Sequence, residues 1–310
     1  MDRPPARWYN EIRRALVPMV HPEELAALDL QIWLRTGLEA GRRLGCNQST
    51  ICRRVENCRR CFGLRLLRIG GEWHLRGNTF LLEMERRIHQ LHRFQCGENL
   101  RLEMSPWLGR LLGAPPPPRW ITGTFDHLGV RRPLQLLGER VIDAWFCDCR
   151  EQLPDRAEPE WTILELGHLP MLLMADRIHP LAGERGLRLA DLHRFPSLAL
   201  PEELYPCTAV RLKGQGLWSA PMASDRYVPQ CWEGCTADRM TLSYGNGFGR
   251  LLIPDPVPLD WDLGCLCRVA LVAHGDLAGH GALRDLATLL RQRLINLLVE
   301  RPSLDMVTVA

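Results

Sequence analysis

The residues of this chain best suited to chemistry lie between Leu44 and Gly63, in the segment LGCNQSTICRRVENCRRCFG. Gln48, Ser49, Arg53, Arg54 and Asn57 recur at spacings that gather them on one side of a helix. Amide, hydroxyl and guanidinium groups are the types that pair with base edges and phosphate oxygens in a major groove. The opposite side is apolar or small. Cys46, Ile51, Val55, Cys58 and Phe62 follow the helical period and predict a buried face. Asn47 is the expected N-cap, its side chain accepting a hydrogen bond from a free first-turn amide, and Gly63 the expected stop. The same composition also suits a solvated basic helix on any globular protein, so the flanking elements carry the decision.

Those flanks can position such a helix. Upstream, Glu23–Arg35 places Leu25, Leu28, Ile32 and Trp33 on one stripe. Thr36 can cap a short helix to Leu44, in which Ala40 and Gly41 allow close contact. Downstream, LRLLRIGGEWHL at Leu64–Leu75 reads as two short strands about Gly70-Gly71, a dipeptide that tolerates the positive φ of a tight hairpin turn. Asn78-Thr79 then opens a helical run to Phe94, with Leu81, Leu82, Met84, Ile88, Leu91 and His92 largely on one side.

Here the chain resembles the LysR-type transcriptional regulators. Their pattern, Leu-x-Val-Ser-Gln-Pro-Ala-Leu-Ser-x-x-Ile followed by Leu and by Leu-Gly-x-x-Leu-Phe, is met in register by Leu44, Cys46, Asn47, Gln48, Ser49, Thr50, Ile51, Cys52, Val55, Cys58, Phe62, Gly63, Leu66 and Leu67. Ser49 and Cys52 stand where the family usually has proline and serine, and Glu72-Trp73 replaces the basic residue common at the wing tip. A second matching stretch runs from Leu169 to Pro201, where His179, Pro180, Leu181, Ala182, Leu189, Asp191, Leu192, Leu200 and Pro201 agree. SYGNGFGRLLIPD at Ser243–Asp255 is similar to the family's glycine-rich turn and strand ending in Leu-Leu-Pro. The resemblance covers most of the chain after about residue 20. It implies an α/β protein: an N-terminal extension over 1–20, a winged helix-turn-helix over 21–77, and a linker and dimerisation helix over 78–98. A two-lobed, periplasmic-binding-protein-like effector domain would follow over 99–310, its second lobe at about 169–270. It also implies that Gln48, Ser49, Cys52 and Arg53 touch DNA.

Read without that resemblance, the chain beyond Asn99 alternates strands and helices. Leu100–Met104, Trp120–Phe125 and Val141–Phe146 suit strands, and Trp107–Gly113, opened by Ser105-Pro106, and Leu134–Gly138 suit helices. That rhythm is what a parallel sheet requires. Further strands fit Leu169–Ala175 and Cys265–Val272, and Gly281–Val299 fits a helix with Leu283, Leu286, Leu290, Leu294 and Leu297 on one stripe. A ligand cleft would then lie at the carboxyl ends of strands. Its candidates are Ser105 and Trp107, then Thr124, with Leu200, Thr208 and Asn246 across from them. Ser105 beside free amides at a helix start favours an anion such as a carboxylate, unless it only caps its helix. Trp107 suits the core as well as a ligand wall.

The net charge of +3 is unevenly spread: residues 1–94 hold 17 arginines against 10 acidic residues, +7, which leaves −4 for the remainder. A basic front and an acidic back suit a phosphate-binding module joined to a domain that does not touch nucleic acid. Lys213 is the single lysine. No apolar run approaches the ~20 residues needed to cross a bilayer, and MDRPPARWYNEIRR lacks the core of a signal peptide, so a cytoplasmic protein with reduced thiols and no membrane partner is expected.

Twelve cysteines call for separate readings. Cys58 and Cys61 form a Cys-x-x-Cys pair whose intervening arginines could lower the thiol pKa, with buried packing as the plainer role. Cys147 with Cys149, and Cys265 with Cys267, have the spacing of one strand face; Cys231 and Cys235 fall in a loop region. Gly-x-Ser-x-Gly, His-Glu-x-x-His and a phosphate loop are absent, and GNGFG at Gly245–Gly249 does not complete a dinucleotide fingerprint. The expectation is a non-enzymatic, sequence-specific regulator that binds double-stranded DNA and a small effector. No cofactor or metal is expected; Arg53 and Arg54 would contact the DNA backbone and Gln48 and Ser49 the bases, and the protein would act as a homodimer or homotetramer with RNA polymerase. A small-molecule-binding protein or enzyme built on the two-lobed domain, or a thiol- or metal-sensing regulator, are the alternatives.

Overall fold

The computed structural model describes residues 20–153, 160–221, 238–302, 304, 307 and 308. The N-terminal extension expected over 1–20, up to Val20, and Cys231 and Cys235 lie outside the described residues. The chain divides into two compact units between His92 and Arg93.

In the first unit α1 (Pro22–Leu34), α2 (Gly37–Leu44) and α3 (Gln48–Cys61) follow one another through short turns. Thr36 Oγ1 accepts from Glu39 N and Asn47 Oδ1 accepts from Thr50 N at 2.8 Å, so both caps expected from the sequence form. The helix α3 buries Ile51, Val55 and Cys58 against α1 and α2. Instead of the single stripe expected, α1 is buried nearly all round, including Asp29 and Gln31, because α2, α3 and the hairpin each cover part of it. The hairpin pairs β1 (Arg65–Ile69) with β2 (Glu72–Arg76) in antiparallel register, Ile69 opposite Glu72. Gly70 and Gly71, at φ 58° and 86°, make the two-residue turn that only residues free to take positive φ form cheaply.

In the helix α4 (Phe80–Cys96) the apolar side read from the sequence divides. Its buried positions before His92 are Leu82, Arg86 and Gln90, each four residues on from the last, whereas Leu81, Met84, Ile88 and Leu91 are exposed, Ile88 by 62 %. The reason is electrostatic. Arg86 Nε donates to Asp29 Oδ1 at 2.8 Å with both side chains 1 % exposed, and a buried carboxylate needs such a partner more than α1 needs further apolar cover.

The second unit is built on a mixed sheet, seven-stranded among the described residues. Its parallel part is β3 (Leu100–Met104) between β4 (Trp120–Thr122) and β5 (Ala144–Cys147), with α5 (Pro106–Leu112) and α6 (Arg131–Gly138) as crossovers. Every residue of β3 and β5 is buried, as both faces of such strands are covered. Two long antiparallel strands, β6 (Trp161–Ala175) and β10 (Val257–His274), extend well beyond the segments the sequence suggested. In β10 burial alternates up to Arg268, then runs unbroken from Val269 to Ala273, which marks the change from one covered face to two. Beyond β6 come the short helix α7 (Leu189–Leu192) and the parallel pair β7 (Leu198–Ala199) and β8 (Ala220–Pro221), and the far part of β6 pairs with β9 (Ser243–Asn246). The segment expected to be a glycine-rich turn and strand is instead this short strand followed by a helix, α9 (Gly247–Leu252), because Asn246 Oδ1 accepts from Gly249 N at 3.0 Å and caps it. The helix α8 (Pro206–Gly214) and α10 (Gly281–Glu300) complete the core, α10 burying Leu283, Leu286, Leu290 and Leu294.

Asp143, fully buried, accepts from Arg93 Nε and Nη2 at 3.0 and 2.7 Å and from Arg101 N at 2.9 Å, fixing the end of α4 on this unit's sheet. Among the described residues no helix is long and apolar enough to cross a membrane. The buried pair of the first unit can be tested directly. Asp29→Ala should destabilise by about 3–5 kcal/mol in urea titrations, since it strands the Arg86 guanidinium, whereas Asp29→Leu with Arg86→Met should lose far less.

Candidate functional site

On α3 the structure leaves Gln48, Ser49, Cys52, Arg53 and Asn57 exposed and Arg54 partly so. Asn47 holds the start of this face: its carbonyl oxygen caps the helix and also accepts from Ser49 Oγ at 2.8 Å. Gln48, Cys52 and Arg53 project without a hydrogen bond or ion pair to the described residues. Arg54 and Asn57 are engaged: Arg54 pairs with Glu23, and Asn57 Nδ2 donates to Glu24 Oε1 at 2.9 Å, both carboxylates coming from the first turn of α1. The face thus has a free part, Gln48 to Arg53, and a part held by its own scaffold.

The hairpin adds what motif reading passed over. Glu72 pairs with Arg35 at 3.2 Å and Trp73 Nε1 donates to Arg35 O at 2.8 Å, so the residues replacing a basic wing tip tie the hairpin to the end of α1. Arg65 and Arg76 are exposed and directly opposite in register. Like charges so placed repel unless an anion lies between them. The two-residue turn at Gly70-Gly71 already sets this register, so the opposition follows from the sequence once the turn is read.

The second unit holds a pocket of about 30 Å³ at the strand ends, lined among others by Trp107, Asp148, Glu151, Leu200, Tyr205, Tyr244 and Asn246. Trp107, Leu200 and Asn246 are thus brought together in one lining. Thr124 and Thr208 are not in the lining: Thr124 Oγ1 donates to Asp126, and Thr208 Oγ1 accepts from Gln152 Nε2 at 2.6 Å. Ser105 makes no cap bond to α5. Its Oγ is buried without a formed hydrogen bond and lies beside Asp148, close enough to favour that carboxylate's charged form.

Sequence reasoning missed the acids. Asp148 and Glu151 directly follow β5, and the rule that ligands sit beyond strand carboxyl ends could have found them. Asn246 Nδ2 donates to Asp148 Oδ2 at 2.9 Å, yet burial outweighs this and raises the carboxyl above its ordinary value. Burial also lifts Glu151 to about 7, against the backbone hydrogen bond it accepts from Arg268 N. Neither acid has an ion-pair partner among the described residues. The nearby guanidiniums of Arg150 and Arg268 are both drawn to Glu165, at 3.7 and 3.9 Å.

Cys58, Cys61, Cys149, Cys265 and Cys267 are all held above the ordinary thiol value. Burial, reinforced by Asp29, pushes Cys58 far up, and burial raises Cys61, so the arginines between them do not lower either as the sequence suggested. Cys149 is raised first by its hydrogen bond with Cys147, and Cys267 by burial. Among the described residues no group of three His, Cys, Asp or Glu is placed to hold a metal ion.

No family model matches the sequence, and no curated protein does. Solved structures do share the fold. A probable transcriptional regulator from Pseudomonas aeruginosa is 14 % identical, with a TM-score of 0.54 over 91 % of this chain and 98 % of that one. A hydrogen peroxide-bound OxyR variant from Corynebacterium glutamicum is 14 % identical at a TM-score of 0.50, over 90 % and 94 % of the two chains. A full-length OxyR variant from Pseudomonas aeruginosa gives 14 %, 0.50, 88 % and 98 %. The fold is that of full-length LysR-type regulators.

Because Glu151 holds its proton to a higher pH folded than unfolded, it stabilises the fold fully below its unfolded value of 4.5, and that contribution is lost as pH rises through about 7. Glu151→Gln should remove a decline of at most about 3 kcal/mol across that window, read from melting temperature against pH.

Proposed function

We propose that this chain, with the fold of LysR-type regulators, is a sequence-specific DNA-binding transcription regulator whose activity is tuned by a small molecule held in the pocket of its second unit. The observation that carries the reading is the capped helix α3 offering Gln48, Ser49, Cys52 and Arg53 outward, beside the exposed arginines of the hairpin. Gln48 and Ser49 take base edges, Arg53 takes phosphate, and Cys52 packs at the same face; Arg54 and Asn57 contribute once Glu23 and Glu24 release them or from where they are held. In this reading residues 21–77 are a winged helix-turn-helix after an N-terminal extension, 78–98 a dimerisation helix, and 99–310 the two-lobed effector domain.

The exposed stripe of α4 supports self-association. Leu81, Met84, Ile88 and Leu91 alternate steps of three and four residues, the spacing of a coiled-coil seam, and no part of their own unit covers them. A homodimer or homotetramer built there would present paired reading helices, and RNA polymerase is the expected further partner.

Retardation of DNA from upstream of its own gene and its neighbours tests the proposal. An unretarded band with ligand binding intact would instead mark a stand-alone small-molecule-binding protein. Arg53→Ala should weaken binding at all sites and reduce the slope of log affinity against log salt by about 1; an unchanged slope removes Arg53 from the phosphate contacts. Ile88→Asp should shift the protein to monomer in sedimentation while its circular dichroism stays that of the folded chain, because Ile88 is already in water within one chain.

A further inference from the structure

The pocket brings two acidic side chains into one lining. Asp148 is 3 % exposed and meets Asn246 but no positive group, and Glu151 stands three residues on in the same wall. A buried carboxylate without a counter-ion is expensive, and the guanidiniums of Arg150, next to Glu151 in sequence, and of Arg268, whose backbone N donates to Glu151, both pair with Glu165. Trp107, Tyr205 and Tyr244 share the remaining lining with Met171, Leu200, Cys149 and Cys267. Tyr205 accepts at its hydroxyl from Gly129 N at 3.1 Å, and Tyr244 donates from its hydroxyl to Leu217 O at 2.9 Å. Both polar tips are thus spent away from the pocket, leaving rings, with that of Trp107, as the aromatic part of the lining. Rings attract cations through their faces and offer an anion nothing comparable.

We infer that this pocket takes the ammonium head of a small organic amine, with Asp148 and Glu151 as counter-ions and Trp107, Tyr205 and Tyr244 as aromatic walls. The inference rests on the reading of the pocket as the effector site and replaces the carboxylate that a serine at a helix start suggests. Ser105 Oγ has a free hydrogen-bonding capacity, but its neighbour is the Asp148 carboxyl, which repels an anion, and α5 spans only Pro106–Leu112. Size agrees: about 30 Å³ admits one or two water-sized groups, enough for an ammonium and a methylene beside it.

The full-length chain should be titrated by calorimetry and thermal shift with ethylamine and 1,4-diaminobutane, and in parallel with propionate and succinate. The amines should bind saturably and raise the melting temperature, and the carboxylates should do neither. Asp148→Asn should weaken amine binding by about tenfold or more, as loss of a charge-assisted hydrogen bond does, and Glu151→Gln should weaken it less. Melting of each unliganded variant reports whether it is folded, and Glu151→Gln serves if Asp148→Asn is not. Saturable binding of the carboxylates, or amine binding indifferent to both substitutions, overturns the inference. Gel retardation on the same preparation separates the two claims. DNA binding without amine binding removes the amine alone, whereas amine binding without DNA binding removes the regulator and leaves the pocket's assignment standing.

Discussion

A carboxylate taken out of water must be met by a cation or keep its proton, and three aspartates among the described residues are buried under that constraint. Asp29 is met by Arg86 and Asp143 by Arg93, two arginines of the one helix α4, and those pairs decide which way the helix turns. Had α4 followed hydrophobicity alone, Leu81, Met84, Ile88 and Leu91 would face their own unit. Instead the polar side goes in and the apolar side stays out, and the surface left over has the periodicity of a helix-pairing seam. Asp148, the third, meets the Asn246 amide and lies beside the Ser105 hydroxyl with no ion-pair partner among the described residues, and an ammonium site would draw on that difference.

Much of the first unit was legible in the sequence because its elements are short and locally signed. Thr36 and Asn47 mark helix starts, Gly70-Gly71 marks a turn, and Ile51, Val55 and Cys58 mark a face; each acts within four residues. What resisted reading depends on partners far away in the chain. Asp29 sits in an apolar run with nothing nearby to announce Arg86, 57 residues on. The lengths of β6 and β10 follow from their mutual pairing, which no local pattern reports. In the pocket, Trp107, Leu200 and Asn246 are candidates through their place after strands, whereas Thr208 looks equally available until Gln152 is seen to occupy it.

Cysteine abundance is a related case. Cys58, Cys147 and Cys267 take positions where a small apolar residue fits, and burial raises Cys58 and Cys267 beyond the range in which a thiol reacts readily. A Cys-x-x-Cys spacing on a packed helix is a consequence of the helical period, which puts one of the two inside, and carries no chemistry of its own.

The hold of Glu23 and Glu24 on Arg54 and Asn57 has a genetic consequence. If α3 reads DNA, its repertoire is set in part by the first turn of α1, so alleles with altered operator preference should arise at Glu23 and Glu24 without any lesion in the reading helix. Suppressors of a defect at Arg54 should map there as well, some thirty codons upstream of the residue they rescue.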